Sequence, residues 1–272
     1  MKNKDLDKQS KYIRKVVLDM LAQSGRGHLA SAFSITEILL VLYNHILKYR
    51  PNNPKWPKRD RFILSKGQGC LSYYAILAEK GFFPKEKLTS FCQAETFLGG
   101  HPEHAIPGVE ISTGSLGHGL AVGIGMALAA KRDKKHHRVF VLIGDGESNE
   151  GSVWEAALYA AKHRLDNLIV LVDYNKMQSW GATKEIVDLE PFADKWLSFG
   201  FAVRETDGHN KRQIYSQLKR LPFKKNKPGL LICHTVKGKG IKMTENNPEW
   251  HHRRDLKGEI MQNLYQGLED YR

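Results

Sequence analysis

The chain has 272 residues, enough to bury a sizeable core as one large α/β domain or two smaller ones. Its 42 Lys and Arg against 29 Asp and Glu give a formal net charge of +13. The basic residues are scattered, with no aromatic-interleaved platform and no zinc-finger spacing, so we expect no nucleic-acid partner. Three cysteines, Cys70, Cys92 and Cys233, lie far apart without a CxxC pair, which excludes a disulfide framework and points to a reduced compartment. The N-terminal MKNKDLDKQSKYIRK lacks the apolar core of a signal peptide, and no run approaches the length of a membrane span. A soluble, cytoplasmic protein is expected, as a single domain over residues 1–272, because no linker or repeat divides it.

Over residues 5–22, Ile13, Val16, Val17, Met20 and Leu21 recur at helical spacing, which predicts a packing helix. The glycine-rich loop SGRGHLASAFS delivers His28 and ends at Ser34. Ser34 and Glu37 have capping-box spacing for a helix running to about residue 46. RDRFILSKGQG predicts a short strand and a glycine-flanked turn, followed by a helix over 70–80. In that turn Lys66 either meets a phosphate or projects into solvent, and taken alone the second reading is the better one. Pro102 and Pro107 keep GGHPEHAIPG out of a regular helix, leaving His101 and His104 in a rigid loop without the spacing of a zinc site. GSLGHG then leads into a helix whose Gly119, Gly123 and Gly125 allow close packing.

The densest stretch, residues 138–181, reads as strand, glycine turn, helix, strand and polar loop. Asp145 closes its first strand and Asn175 its second. In a parallel sheet a right-handed crossover returns both strand ends to one edge, so the two side chains can meet there. A carboxylate, an amide oxygen and a nearby carbonyl make a hard-oxygen half-shell suited to Mg²⁺ or Ca²⁺ beside a diphosphate. Gly144 and Gly146 let the backbone approach the ligand, and the next helix points N–H groups toward the anion. The competing reading is an ordinary strand-end turn.

Beyond Asn175, DLEPFADKWLSFG predicts a helix, FAVRETDGHN a strand and loop, KRQIYSQLKRL an amphipathic helix, and GLLICHTVKGKG a last strand with a basic, glycine-rich end. A terminal helix follows. Asp145, Asn175, Asp207 and Lys237 thus all follow strands that alternate with helices. The pattern predicts an α/β fold with a doubly wound, mostly parallel sheet, helices on both faces, and these residues at its ligand edge.

These segments together resemble the N-terminal, cofactor-diphosphate-binding part of transketolases. SGRGH, DRFILSKG, GGHPE, PGVEISTGSLGHG, DGHN, KGKG and NNPEWH occur in the family's order, and the GDG-to-Asn block resembles its thiamin diphosphate motif. The resemblance implies thiamin diphosphate with Mg²⁺ or Ca²⁺ held by Asp145, Asn175 and the carbonyl of Met177. It places Gly144 and Gly146 against the diphosphate, Gly114 and Leu116 against the cofactor rings, and Lys66, Gln68 and Lys237 nearby. His28, His101 and His251 match active-site histidines that contact cofactor or donor sugar. Glu150 matches a glutamate that links two active sites across an interface. The implied reaction transfers a two-carbon ketol unit from a ketose to an aldehyde.

Some positions depart from the family pattern. Gln68 stands for a histidine and cannot shuttle protons. Leu29 follows Gly27-His28 where proline is usual, and Trp180 replaces a small acidic residue. The pyrimidine-binding and C-terminal domains of the family are not in these 272 residues, so the resemblance implies a partner chain carrying them, as an α₂β₂ assembly. Two other thiamin enzymes share the motif, the α chain of a 2-oxo acid dehydrogenase and deoxyxylulose phosphate synthase, and GGHPE, TGSLGHG and the WH pair speak against both. A non-catalytic partner-binding relic of the fold is the alternative from another class.

Overall fold

The computed structural model describes residues 3–271. Five strands form one sheet: β1 (Arg61–Leu64), β2 (Val139–Gly144), β3 (Leu168–Tyr174), β4 (Ala202–Asp207) and β5 (Gly229–His234). Their spatial order is β1-β2-β3-β5-β4, and every neighbouring pair is parallel. VFVLIG and LIVLVDY are buried along their whole length, as expected for central strands covered on both faces. Alternate residues feed two cores. Phe140, Leu142, Ile169 and Leu171 face one, while Val139, Val141, Val170 and Val172 face the other.

The first core is covered by α1 (Asn3–Ser24), α2 (Leu29–Phe33), α3 (Thr36–Val41), α4 (Cys70–Glu79), α9 (Lys211–Leu218) and α10 (Gly258–Glu269). The second is covered by α5 (His118–Arg132), α6 (Gly151–Lys162) and α8 (Phe192–Ser198), with the short α7 (Thr183–Ile186) before α8. The predicted doubly wound architecture is therefore present. Between β1 and β3 the chain advances across the sheet, and β5 then returns to insert between β3 and β4. The reversal opens a crevice at the strands' C-terminal ends, where doubly wound folds bind ligands.

Four expectations need correction. The loop ends at His28, not Ser34, because Leu29–Phe33 is fully buried and helical. The Ser34–Glu37 capping box does not form. Ser34 Oγ instead donates to Asp173 at 2.7 Å, and Glu37 is drawn to the Arg14 guanidinium at 2.6 Å. A charged partner and a buried carboxylate bind these side chains more strongly than the local caps would. Leu29–Ile46 does reach 18 residues with mean hydropathy 1.4, yet 89% of it is buried in the first core, and it breaks between α2 and α3 before a π turn at Leu42–Ile46. Gly119 and Gly123 pack as expected, since a Cβ would collide with Ser65 Oγ at the first and meet Val141 at 2.5 Å at the second, but Gly125 has nothing within 4 Å and faces outward.

Candidate functional site

The C-terminal edge collects a cavity of about 190 Å³. Asp145 enters it from the end of β2, Asn175 and Met177 from the loop after β3, Lys66 from the turn after β1, and Lys237 from the loop after β5. Gln68, Leu116, Gly144, Gly146, Glu150 and His251 also line it. Gly114 does not. Its φ of +140° sets its backbone against the His101 ring, which a Cβ would meet at 3.0 Å. Asp207 also stays outside, because β4 is the sheet's edge strand. Its carboxylate accepts from the His209 N–H at 2.9 Å and shapes the DGHN turn. A larger hollow of about 550 Å³, between the Lys239–Met243 segment and α10, contains none of these residues.

Beneath the cavity lies a hub that sequence reading passed over. Asp173, at the end of β3 and wholly buried, pairs with the Lys66 ammonium and accepts from Ser34, Thr235 and the Asn175 amide. Burial alone would raise its pKa, but Lys66 and the hydroxyl donors hold it below the usual carboxylate range. Lys66 is thus a buried structural cation, 2% exposed, and not the solvent-facing residue that the turn by itself suggests. Glu147 is a second buried acid. It accepts from Ser65 and from the backbone N–H groups of Gly117 at 3.0 Å and Gly144 at 3.1 Å, locking the glycine turn to the start of α5.

Asp145 is 2% exposed, and burial followed by the neighbouring Asp173 pushes its pKa up to about 7. One oxygen accepts from Gly146 N–H at 2.7 Å, and the other from Lys176 N–H. The first turn after β2 is a 3-10 turn, Gly146–Asn149, and α6 starts only at Gly151. The Gly146 N–H therefore meets Asp145 before any anion. Asn175 Oδ1 accepts from Met177 N–H at 3.0 Å. The Met177 carbonyl faces Lys237 Nζ at 3.4 Å, and that ammonium donates to the Gln178 carbonyl at 2.8 Å. Burial and then Lys66 depress Lys237 to about 8. The donor set of carboxylate, amide oxygen and carbonyl is all hard oxygen around a desolvated acid, which fits a Mg²⁺ or Ca²⁺ ion.

At the mouth, imidazoles converge. The His28 ring lies 5.8 Å from His101, 5.4 Å from His251 and 4.5 Å from His252, centroid to centroid. Burial and then His251 lower His28 to about 3, and burial and then Lys237 lower His251 to about 4, so both are neutral donor-acceptors at pH 7. His251 Nε2 lies 3.1 Å from Ser179 Oγ, while its Nδ1 is buried without a partner among the described residues. Such an orphan atom beside a cavity fits a polar ligand. His252 was not singled out in the sequence; its position next to His251 in the WHH run is the only signal for it. His104 turns away to Ser112, and Trp180, 91% exposed, stands in the loop that carries Ser179.

Residues 6–266 match the family model described as "Transketolase, thiamine diphosphate binding domain". The chain is 44% identical over 248 residues to the SqwG chain of the 6-deoxy-6-sulfo-D-fructose transketolase of Clostridium sp. (strain MSTE9), covering 91% of this chain and 90% of that one. It is 40% identical over 252 residues to one of the subunits of the apulose-4-phosphate transketolase of Phocaeicola vulgatus, covering 93% and 90%. Among solved structures, the transketolase of Campylobacter jejuni superposes with a TM-score of 0.91 at 31% identity over 99% of this chain, which spans 43% of that longer one. The chain belongs to the transketolase family, as an N-terminal, thiamine diphosphate-binding subunit.

Proposed function

We propose that this chain binds thiamin diphosphate through Mg²⁺ or Ca²⁺ and, together with a second chain, transfers a two-carbon ketol unit from a sugar or sugar phosphate to an aldehyde. The observation that carries the reading is the meeting of Asp145, Asn175 and the Met177 carbonyl in one cavity floored by Gly144 and Gly146, with His251 in its lining and His28 linking His251 to His101 beyond it. When bound, the cofactor supplies the carbanion chemistry. The chain's own part is to anchor the diphosphate through the cation, present Gly146 to it, and exclude water around the buried acids. His28, His101 and His251, neutral at pH 7, donate hydrogen bonds to developing oxyanions and relay protons. Gln68 can hold a hydrogen bond at its position without moving a proton.

The cavity, at about 190 Å³, is below the ~300–1,000 Å³ that encloses a ligand of this size, which supports a half-site completed by another chain. The relatives above are named as subunits, one of a sulfo-sugar transketolase and the other of a sugar-phosphate transketolase. We assign the docking surface to the outer face of α5 and α6. There Val122, Leu158 and Tyr159 are 41%, 59% and 48% exposed, and Glu150, at the start of α6, joins that face to the cavity. Two copies of each chain, α₂β₂, would pair two such sites.

The test is calorimetry with thiamin diphosphate and Mg²⁺ on the complex formed with the co-expressed partner. Asp145→Ala is expected to abolish cation-dependent binding. Undiminished binding by that variant overturns the site assignment, and no binding by the unmodified complex favours a non-catalytic relic.

A further inference from the structure

An antiparallel bridge ties the loop before α2 to the segment after Trp250. Gly27 N–H donates to the Arg253 carbonyl at 3.0 Å, and Arg253 N–H to the Gly27 carbonyl at 3.1 Å. Directly opposed residues in such a pair share a face, and neighbours along each strand alternate between faces. His28 therefore opposes His252, and Arg26 opposes Arg254, on the side away from Gly27. The 4.5 Å ring contact of His28 with His252 agrees with this register. Gly27 turns toward the core, where a Cβ would meet Leu21 at 2.6 Å, and Arg253 lies over the Trp250 ring at 4.9 Å.

The result is a track of donors leading out of the cavity, from His251 through His28 to an exposed rim of His252, Arg26 and Arg254. Among the described residues no carboxylate pairs with either arginine; Arg26 also faces the Cys92 thiol. Burial, then Arg254 and Arg26, lowers the His252 pKa, so at neutral pH its ring presents an N–H donor without adding charge. Like charges opposed across a bridge are unfavourable until an anion sits between them. Two guanidinium forks and an imidazole N–H match the oxygens of a tetrahedral oxyanion.

We propose that Arg26, Arg254 and His252 recognise the distal tetrahedral oxyanion, phosphate or sulfonate, of a sugar whose reacting carbonyl lies among His28, His101 and His251. The proposal rests on the transketolase reading and deepens it: it gives this chain a hand in choosing anionic sugars. Both oxyanions offer the same three-oxygen face, so the rim by itself accepts either.

The experiment has two arms, both on the complex with the partner, thiamin diphosphate and Mg²⁺ present so that the diphosphate site is filled. In the first, inorganic phosphate and methanesulfonate are titrated calorimetrically into unmodified, R26Q, R254Q and R26Q/R254Q complexes. Each single change is expected to weaken oxyanion binding at least tenfold, and the double change to remove it. Unchanged binding overturns the proposal, whether or not the enzyme turns over. In the second arm, ketol transfer is compared for a phosphorylated, a sulfonated and an uncharged ketose. The ratio of kcat/KM for anionic over uncharged donors is expected to fall at least tenfold in each variant. R26K and R254K, which keep the charge and lose the fork, should recover part of it, and the two anionic donors reveal which oxyanion is preferred. A ratio that does not move, or loss of the partner chain with no change in oxyanion binding, shows a rim built for the partner and overturns the proposal. Failure of the unmodified complex to transfer ketol from any donor would instead overturn the transketolase reading, with the calorimetric arm still deciding the rim.

Discussion

At the scale of single residues, burial decides roles that residue type leaves open. His28 in isolation reads as a solvated loop histidine, but between α2, His251 and His252 it is held neutral, with its pKa lowered to about 3. A histidine with a depressed folded-state pKa binds fewer protons than in the unfolded chain, so stability rises with pH between about 3 and the unfolded value of 6.5 and is lost as pH falls through that window. His28→Asn removes that linkage. Its urea midpoint is expected to fall less between pH 7 and pH 4.5 than that of the unmodified chain, and an equal fall in both would refute the assignment. Asp173 and Lys66 teach the same lesson from the acidic side. The acid was hidden in an apolar strand and the lysine in a glycine turn, and only folding, which sets the ends of β1 and β3 on either side of β2 beside Ser31 and Ser34, makes them one buried pair.

At the scale of elements, the loop after β5 depends on groups remote in sequence. Arg14 of α1 donates through Nε to the Lys239 carbonyl at 2.7 Å and through Nη1 and Nη2 to Glu37 at 2.6 and 3.0 Å. Glu37 also meets His209 Nδ1 at 2.9 Å, and His209 Nε2 accepts the Val236 N–H at 2.8 Å, one residue before Lys237. Gly240, at φ +115°, has no room for a Cβ, which would lie 2.6 Å from Arg14 Nε. Burial raises the Glu37 pKa, but Arg14 and His209 outweigh it and hold the carboxyl well below its ordinary range. Glu37→Gln leaves the Arg14 guanidinium buried with half its pairing gone. A loss of about 3–5 kcal/mol in urea unfolding is expected, as for other broken buried pairs. A loss below ~1 kcal/mol, within the range of exposed pairs, would mean that the network does not brace the loop.

For the molecule as a whole, the question is what the uncovered side of the cavity meets. The sheet's faces are both covered, but α5 and α6 present Val122, Leu158 and Tyr159 to solvent, with Gly125 leaving a groove between the helices. An apolar face beside an incomplete pocket is expected of an interface. Leu158→Glu, on the outer face of α6, should leave thermal unfolding of the isolated chain within about 1 °C and sharply reduce copurification of the partner, because a charge would be buried without a counter-ion. Retained copurification would move the interface elsewhere.

Alternation of apolar strands with helices determined the doubly wound sheet, because periodicity and strand length are local properties of the chain. The order of strand ends already assigned Asp145, Asn175 and Lys237 to one edge, since parallel crossovers bring them there. The same pattern named Asp207, which the edge strand keeps outside the cavity, while Lys66 and Met177 were reached only through the family resemblance. Long-range competition is not local, and there the reading failed. The Ser34–Glu37 spacing promised a cap, but Asp173 and Arg14, brought near by folding, are stronger partners for those side chains. The Arg26–Arg254 rim joins residues more than two hundred positions apart through a single backbone bridge, a pairing that no periodicity in either segment encodes.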